Sequence, residues 1–115
     1  MAKVFDFQSK YYGNVKGYLV KNKYADNNNL CIGVMGKEGS SNFFEPWCNL
    51  SVNIVSLASG EFAYDANNNQ QSNNIINVLE GEGVVINTGK TVRSGYCTYP
   101  IYKVTQKFHA WCRDR

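Results

Sequence analysis

Apolar and polar residues alternate in short runs along most of this chain, and turn-forming residues separate the runs. Tyr18, Val20 and Tyr24 fall on one side of such a run, Asp26-Asn27-Asn28-Asn29 offers turn chemistry, and Leu30, Ile32 and Val34 then alternate again, which predicts a hairpin. Gly36 to Asn42 reads as a Gly/Ser-rich connection. Beyond Pro46, Cys48, Leu50, Val52 and Ile54 alternate with Trp47, Asn49, Ser51 and Asn53, so the first set is expected to face the core. A short strand is predicted at Phe62 to Tyr64, after the Ser59-Gly60 turn.

The period changes once. Ile75, Ile76, Val78 and Leu79 recur at the spacings of an apolar helix face, and Gly81 and Gly83 supply stop signals, which predicts a short helix over 69–80. The Asn/Gln-rich stretch Asp65 to Asn74 leads into it. Val84 to Ile86 and Tyr99 to Thr105 are further strands, separated by a loop that contains Thr88-Gly89 and Ser94-Gly95. The expected architecture is α+β, an antiparallel or mixed sheet of five to seven strands with one short helix packed on it and room for a helical turn at the C-terminus. Cys48, Leu50, Val52, Ile54, Ile76, Leu79 and Val104 are expected to be largely buried.

Composition agrees with a folded chain. In 115 residues, 43% are hydrophobic, 18% charged and 14% aromatic, which excludes a disordered chain and favours strands. The length suits one domain over residues 1–115. No secretory pattern and no run of about 18 apolar residues is visible, so no membrane association is expected and the compartment is read as cytoplasmic. Cys31, Cys48, Cys97 and Cys112 are then read first as free thiols. The net charge of +3 is uneven: residues 1–24 carry +4, residues 25–84 carry −6, and residues 85–115 carry +5. If the termini meet in the fold, a basic region forms beside an acidic one and can steer a partner.

The stretch TGKTVRSGYCTYPIYKV, Thr88 to Val104, resembles the signature of a family of small proteins carried by plasmids, integrative elements and phages of Gram-positive bacteria, a domain of unknown function. YYGN at Tyr11 to Asn14, KYADNNNLCIGV at Lys23 to Val34, NLSVNI at Asn49 to Ile54 and AYDANNN at Ala63 to Asn69 extend the resemblance over most of the chain. Two features depart from the family pattern: Cys31 and Cys48 stand where small apolar residues are common, and the tail FHAWCRDR runs past the shared region. Because cargo genes of mobile elements often blunt host defences, the resemblance implies an inhibitor of a bacterial defence protein, with a CRISPR effector such as Cas9, or its guide-RNA complex, as the most specific expectation.

Candidate chemistry is sparse. His109 and Cys112 are three residues apart, a spacing compatible with a shared metal ion, and Cys97 with Cys31 or Cys48 would complete a tetrahedral zinc set. No Cys-x-x-Cys pair accompanies them, so a surface histidine and a tail thiol are favoured, with no metal or other cofactor. Cys97 or Cys112 as nucleophile and His109 as base lack a recognisable nucleophile loop or orienting carboxylate, and Gly36 to Gly39 lacks the P-loop pattern. The chain is therefore read as a binding protein and not an enzyme.

The densest binding signal is the loop Thr88 to Pro100, where Lys90 and Arg93 bring charge and Tyr96 and Tyr99 bring rigid amphipathic area. Lys103 follows on the next strand. The competing reading makes Tyr96 and Tyr99 core or corner residues of the final strand. Basic residues interleaved with rings, as in Lys10-Tyr11-Tyr12, Arg93 to Tyr99 and Tyr102-Lys103, also suit single-stranded nucleic acid or RNA, which is the alternative function. The sequence pI of about 8.7 is modest for such a binder.

Overall fold

A computed structural model describes residues 2–9, 12–39, 41–66 and 70–114. Lys10 and Tyr11, part of one basic-aromatic cluster named above, lie outside the described residues. In chain order the elements are β1 (Phe5–Ser9), β2 (Gly13–Lys23), β3 (Leu30–Glu38), β4 (Glu45–Asn49), β5 (Ser51–Val52), β6 (Glu61–Tyr64), α1 (Gln70–Gly81), β7 (Val85–Ser94), β8 (Cys97–Val104), α2 (Gln106–Trp111) and β9 (Cys112–Asp114). The α+β class is as expected. The strands divide between two sheets: one in the order β1-β2-β3-β4, with β9 also paired to β2, and one in the order β5-β6-β8-β7. A second short helix, α2, lies where the sequence leaves room for a helical turn at the C-terminus.

The first sheet is mixed because β9 runs parallel to β2. It pairs with Leu19 to Lys21, continuing the edge that β1 occupies against Gly13 to Gly17. The chain's two terminal segments therefore lie end to end on one strand, and the Lys3 amide donates to the Trp111 carbonyl at 3.2 Å. The Lys3 and Lys107 ammonium groups each lie over the Trp111 ring, at 5.9 and 5.8 Å from its centroid.

One core joins both sheets and both helices. β2 and β3 contribute Val15, Leu19, Ile32 and Val34, and the second sheet contributes Phe62, Tyr64, Val85, Tyr102 and Val104. Helix α1 inserts Ile75, Ile76 and Leu79, as its spacing predicts, and α2 inserts Phe108 and Trp111. Tyr18 and Val20 occupy the outer face of β2, half-buried, and the Tyr18 ring meets Phe44 edge to face at 4.9 Å.

The predicted strand from Cys48 to Ile54 does not run straight. Leu50 is the corner between the sheets: its amide donates to the Ile32 carbonyl and its carbonyl accepts from the Asp65 amide, each at 2.9 Å. The corner breaks the alternation, because Leu50 and Ser51 both turn inward. Ser51 is buried, pairs with core residue Tyr64, and accepts the Ile32 amide on its hydroxyl. Val52 consequently faces outward opposite Ala63. Leu50 is buried as expected, whereas Cys48, Val52 and Ile54 are only half-buried, short of the large burial expected of them. Ile76, Leu79 and Val104 are buried as predicted.

Candidate functional site

The segment read as a loop between Thr88 and Pro100 is a β-hairpin. β7 and β8 pair from Val85↔Val104 to Ser94↔Cys97, closed by the two-residue turn Gly95-Tyr96. Gly95 has φ +60 while Tyr96 does not have a positive φ, the pattern of a type II′ turn, in which the first central residue is glycine. The loop expectation failed because Thr, Lys, Arg and Ser along β7 provide no apolar alternation to mark a strand.

None of residues 86–100 is buried, while Ile101 and Tyr102 at the base are, so the outer half of this hairpin, Thr91 to Pro100, projects from the core as an arm. An isolated two-stranded ribbon is at best marginally stable, so the arm needs local fastening at its base. The register shifts between Asn87 and Thr91, leaving Thr88, Gly89 and Lys90 opposite Ile101. Gly89 takes φ +80 in this bulge, and the Thr88 hydroxyl donates to the Ile101 carbonyl at 2.7 Å. The bulge delivers Lys90 to Glu61 on β6, with Nζ to Oε2 at 2.7 Å. The Glu61 side chain is only 12% exposed. The hydrogen bond from Lys90 holds the Glu61 carboxyl below its ordinary range against the opposing effect of burial, with smaller help from the Ala58 backbone and the charge of Lys103.

The five residues singled out in sequence are thus divided. Tyr96 stands fully exposed at the tip. Tyr99 is half-buried and directly opposite Val92, so both share one face of the arm. Its hydrogen bond with Cys97, followed by desolvation, pushes the phenol pKa up. Arg93 pairs with Thr98 on the other face, and its Nε donates to the Gly95 carbonyl at 3.3 Å. Lys103 is exposed at the base, opposite both Glu61 and Ile86. Sequence reasoning missed Glu61, which has no motif around it to reveal its role as the arm's anchor.

The residues weighed for metal binding or catalysis are spread out. Cys112 is buried in the core and Cys97 lies near the arm's tip. The exposed His109 ring accepts a hydrogen bond from the Lys21 ammonium on Nδ1 at 3.0 Å. Among the described residues, no three His, Cys, Asp or Glu side chains converge on one point. A groove of about 540 Å³ beside β3 and β4 is lined by Cys31, Met35 and Cys48 among others. Burial, with a smaller contribution from Asp65, pushes the Cys48 thiol up to about 12. Such a thiol is a poor nucleophile near neutral pH.

Among the described residues, no helix is long and apolar enough to cross a membrane. No curated protein and no solved structure matches the chain. A family model does match it over residues 19–115, which takes in the arm, the second sheet, both helices and the first sheet from Leu19 of β2 onward, but not β1. The match includes the tail FHAWCRDR, contrary to the expectation that it runs past the shared region. The chain belongs to the family described as Domain of unknown function (DUF4313).

Proposed function

We propose that this chain is a non-enzymatic binding protein that inhibits a bacterial defence effector by laying its β7–β8 arm on the effector's surface. The observation that carries the reading is the arm itself: an ordered hairpin, unburied from residue 86 to residue 100, with a fully exposed tyrosine at its tip. Exposed aromatic and arginine side chains on a pre-ordered frame suit an interface anchor, because little side-chain freedom is lost on docking. Glu61 sits against Lys90 and near Lys103, which lessens their pull on phosphates and favours a protein partner over RNA.

The class of target comes from the resemblance to proteins of phages and plasmids, and the specific candidate is guide-loaded Cas9. The test is a titration of purified Cas9 loaded with guide RNA, following target cleavage. Inhibition that saturates near a fixed molar ratio supports the proposal. Inhibition by trace amounts with covalent change of the target would make the chain an enzyme, and tight salt-sensitive binding of free RNA would favour the nucleic-acid alternative.

A further inference from the structure

β3 and β4 run past the end of the core, and there they enclose a cleft of about 270 Å³. The inward row of β3 reads Ile32, Val34, Gly36 and Glu38; the two aliphatic residues are buried and Glu38 is half-buried. Glu45 pairs directly with Gly36, so its side chain rises from the same face as that of Glu38. Two carboxylates therefore flank one glycine. Among the described residues neither Glu38 nor Glu45 is in an ion pair.

Aromatic rings form the rest of the cleft. Trp47 lies against Gly36, where an added Cβ would come within 2.9 Å of its ring. Tyr12 meets Trp47 edge to face at 5.7 Å, and Phe43, 76% exposed, stands at the rim. Lys37, which also lines the cleft, alternates to the other face of β3 and places its ammonium over the Phe44 ring at 5.4 Å. Among the described residues, the cleft thus joins electron-rich ring surface to two carboxylates that take part in no ion pair.

We propose that this cleft receives an arginine side chain from a partner protein. A guanidinium is planar, stacks on tryptophan and tyrosine faces, and carries five donors that can serve two carboxylates together. Lysine offers a point charge without the flat face. The cleft belongs to the first sheet and the arm to the second, so this inference is independent of the function proposed above.

The test follows the Trp47 indole N–H resonance by NMR, assigned with Trp47→Phe, during titration with a Gly-Arg-Gly peptide. Matched peptides carrying citrulline or lysine, and tetramethylammonium chloride, are titrated alongside it. The expected result is a saturable shift with the arginine peptide, weakened about tenfold or more by citrulline or by the Glu38→Gln/Glu45→Gln double variant. The lysine peptide and tetramethylammonium should bind more weakly than arginine. Thermal melting establishes that the double variant is folded, and the single variants report the same loss in smaller steps if it is not. A response to citrulline equal to that with arginine, unchanged binding by the carboxamide variants, no saturation, or equal binding of lysine or tetramethylammonium would overturn the proposal.

Discussion

Gly17 and Gly36 lie directly opposite each other on β2 and β3, and each sits beneath an aromatic ring. Phe7 covers Gly17 and Trp47 covers Gly36, and the two rings meet edge to face with centroids 6.0 Å apart. A Cβ at Gly17 would come 2.9 Å from Phe7 Cε1 and 3.1 Å from the Met35 carbonyl oxygen; at Gly36 it would come 2.9 Å from Trp47 Cε3. In an open strand, glycine to alanine gains stability by restricting the unfolded chain. Here the sign should reverse: Gly17→Ala and Gly36→Ala should each cost about 1–3 kcal/mol in urea unfolding, with Gly17→Ala the worse because a backbone oxygen cannot move aside as a side chain can. A stabilised Gly17→Ala would contradict the packing described.

Leu50 carries the passage from one sheet to the other with its side chain fully buried. Leu50→Ala should cost about 2–5 kcal/mol, since it opens a cavity at the junction of both sheets. Val52→Ala, outward and half-buried, should cost about 1 kcal/mol or less. Equal losses in denaturant midpoints would mean that the alternation does not break at Leu50.

The Lys90–Glu61 pair fastens the arm, and its pH dependence follows from the lowered Glu61 pKa. A carboxylate whose folded pKa lies below its unfolded value contributes stability that is present above the unfolded value and lost as pH falls through the folded one. Amide protection factors along residues 88–100 should therefore drop between about pH 5 and about pH 3, and Glu61→Gln should show low arm protection throughout that range. The global melting point of Glu61→Gln should move little, because a partly exposed ion pair contributes about 1 kcal/mol or less.

Burial that raises the Cys48 thiol to about 12 also predicts chemical inertness. In the native protein at about pH 8, iodoacetamide should leave Cys48 unmodified, and urea should make it reactive. Peptide mass mapping reads the outcome; rapid native labelling of Cys48 would be inconsistent with its raised pKa.

Periodicity revealed the parts of the fold that bury a continuous stripe. Ile75, Ile76 and Leu79 marked α1 to within a residue or two, and Leu30, Ile32 and Val34 marked the β2–β3 hairpin. It failed where the chain changes sheets at Leu50, because a corner turns two successive residues inward and no local pattern announces that. It failed again on the arm, since a ribbon with no buried face leaves no apolar stripe; only Ser94-Gly95 hinted at its turn. Of the candidate residues, Tyr96 was open between an interface anchor and a core or corner residue until its full exposure excluded the core, and the separation of Arg93 from Tyr99 onto opposite faces depends on the register. The cleft beside Gly36 draws on Tyr12, Phe43 and Trp47, brought together by pairing of distant strands. The run FFEPW at Phe43 to Trp47 was its one visible trace.

The central claim is that the arm is the surface that meets the partner. The most direct measurement compares the wild-type chain with Arg93→Ala, Tyr96→Ala and Tyr99→Ala as baits in a Gram-positive host lysate, each shown to be folded by its melting curve, with captured proteins quantified by mass spectrometry. The account predicts a defence effector held stoichiometrically by the wild type and depleted about tenfold or more by at least one arm variant. A partner held equally by the wild type and all three variants would contradict it.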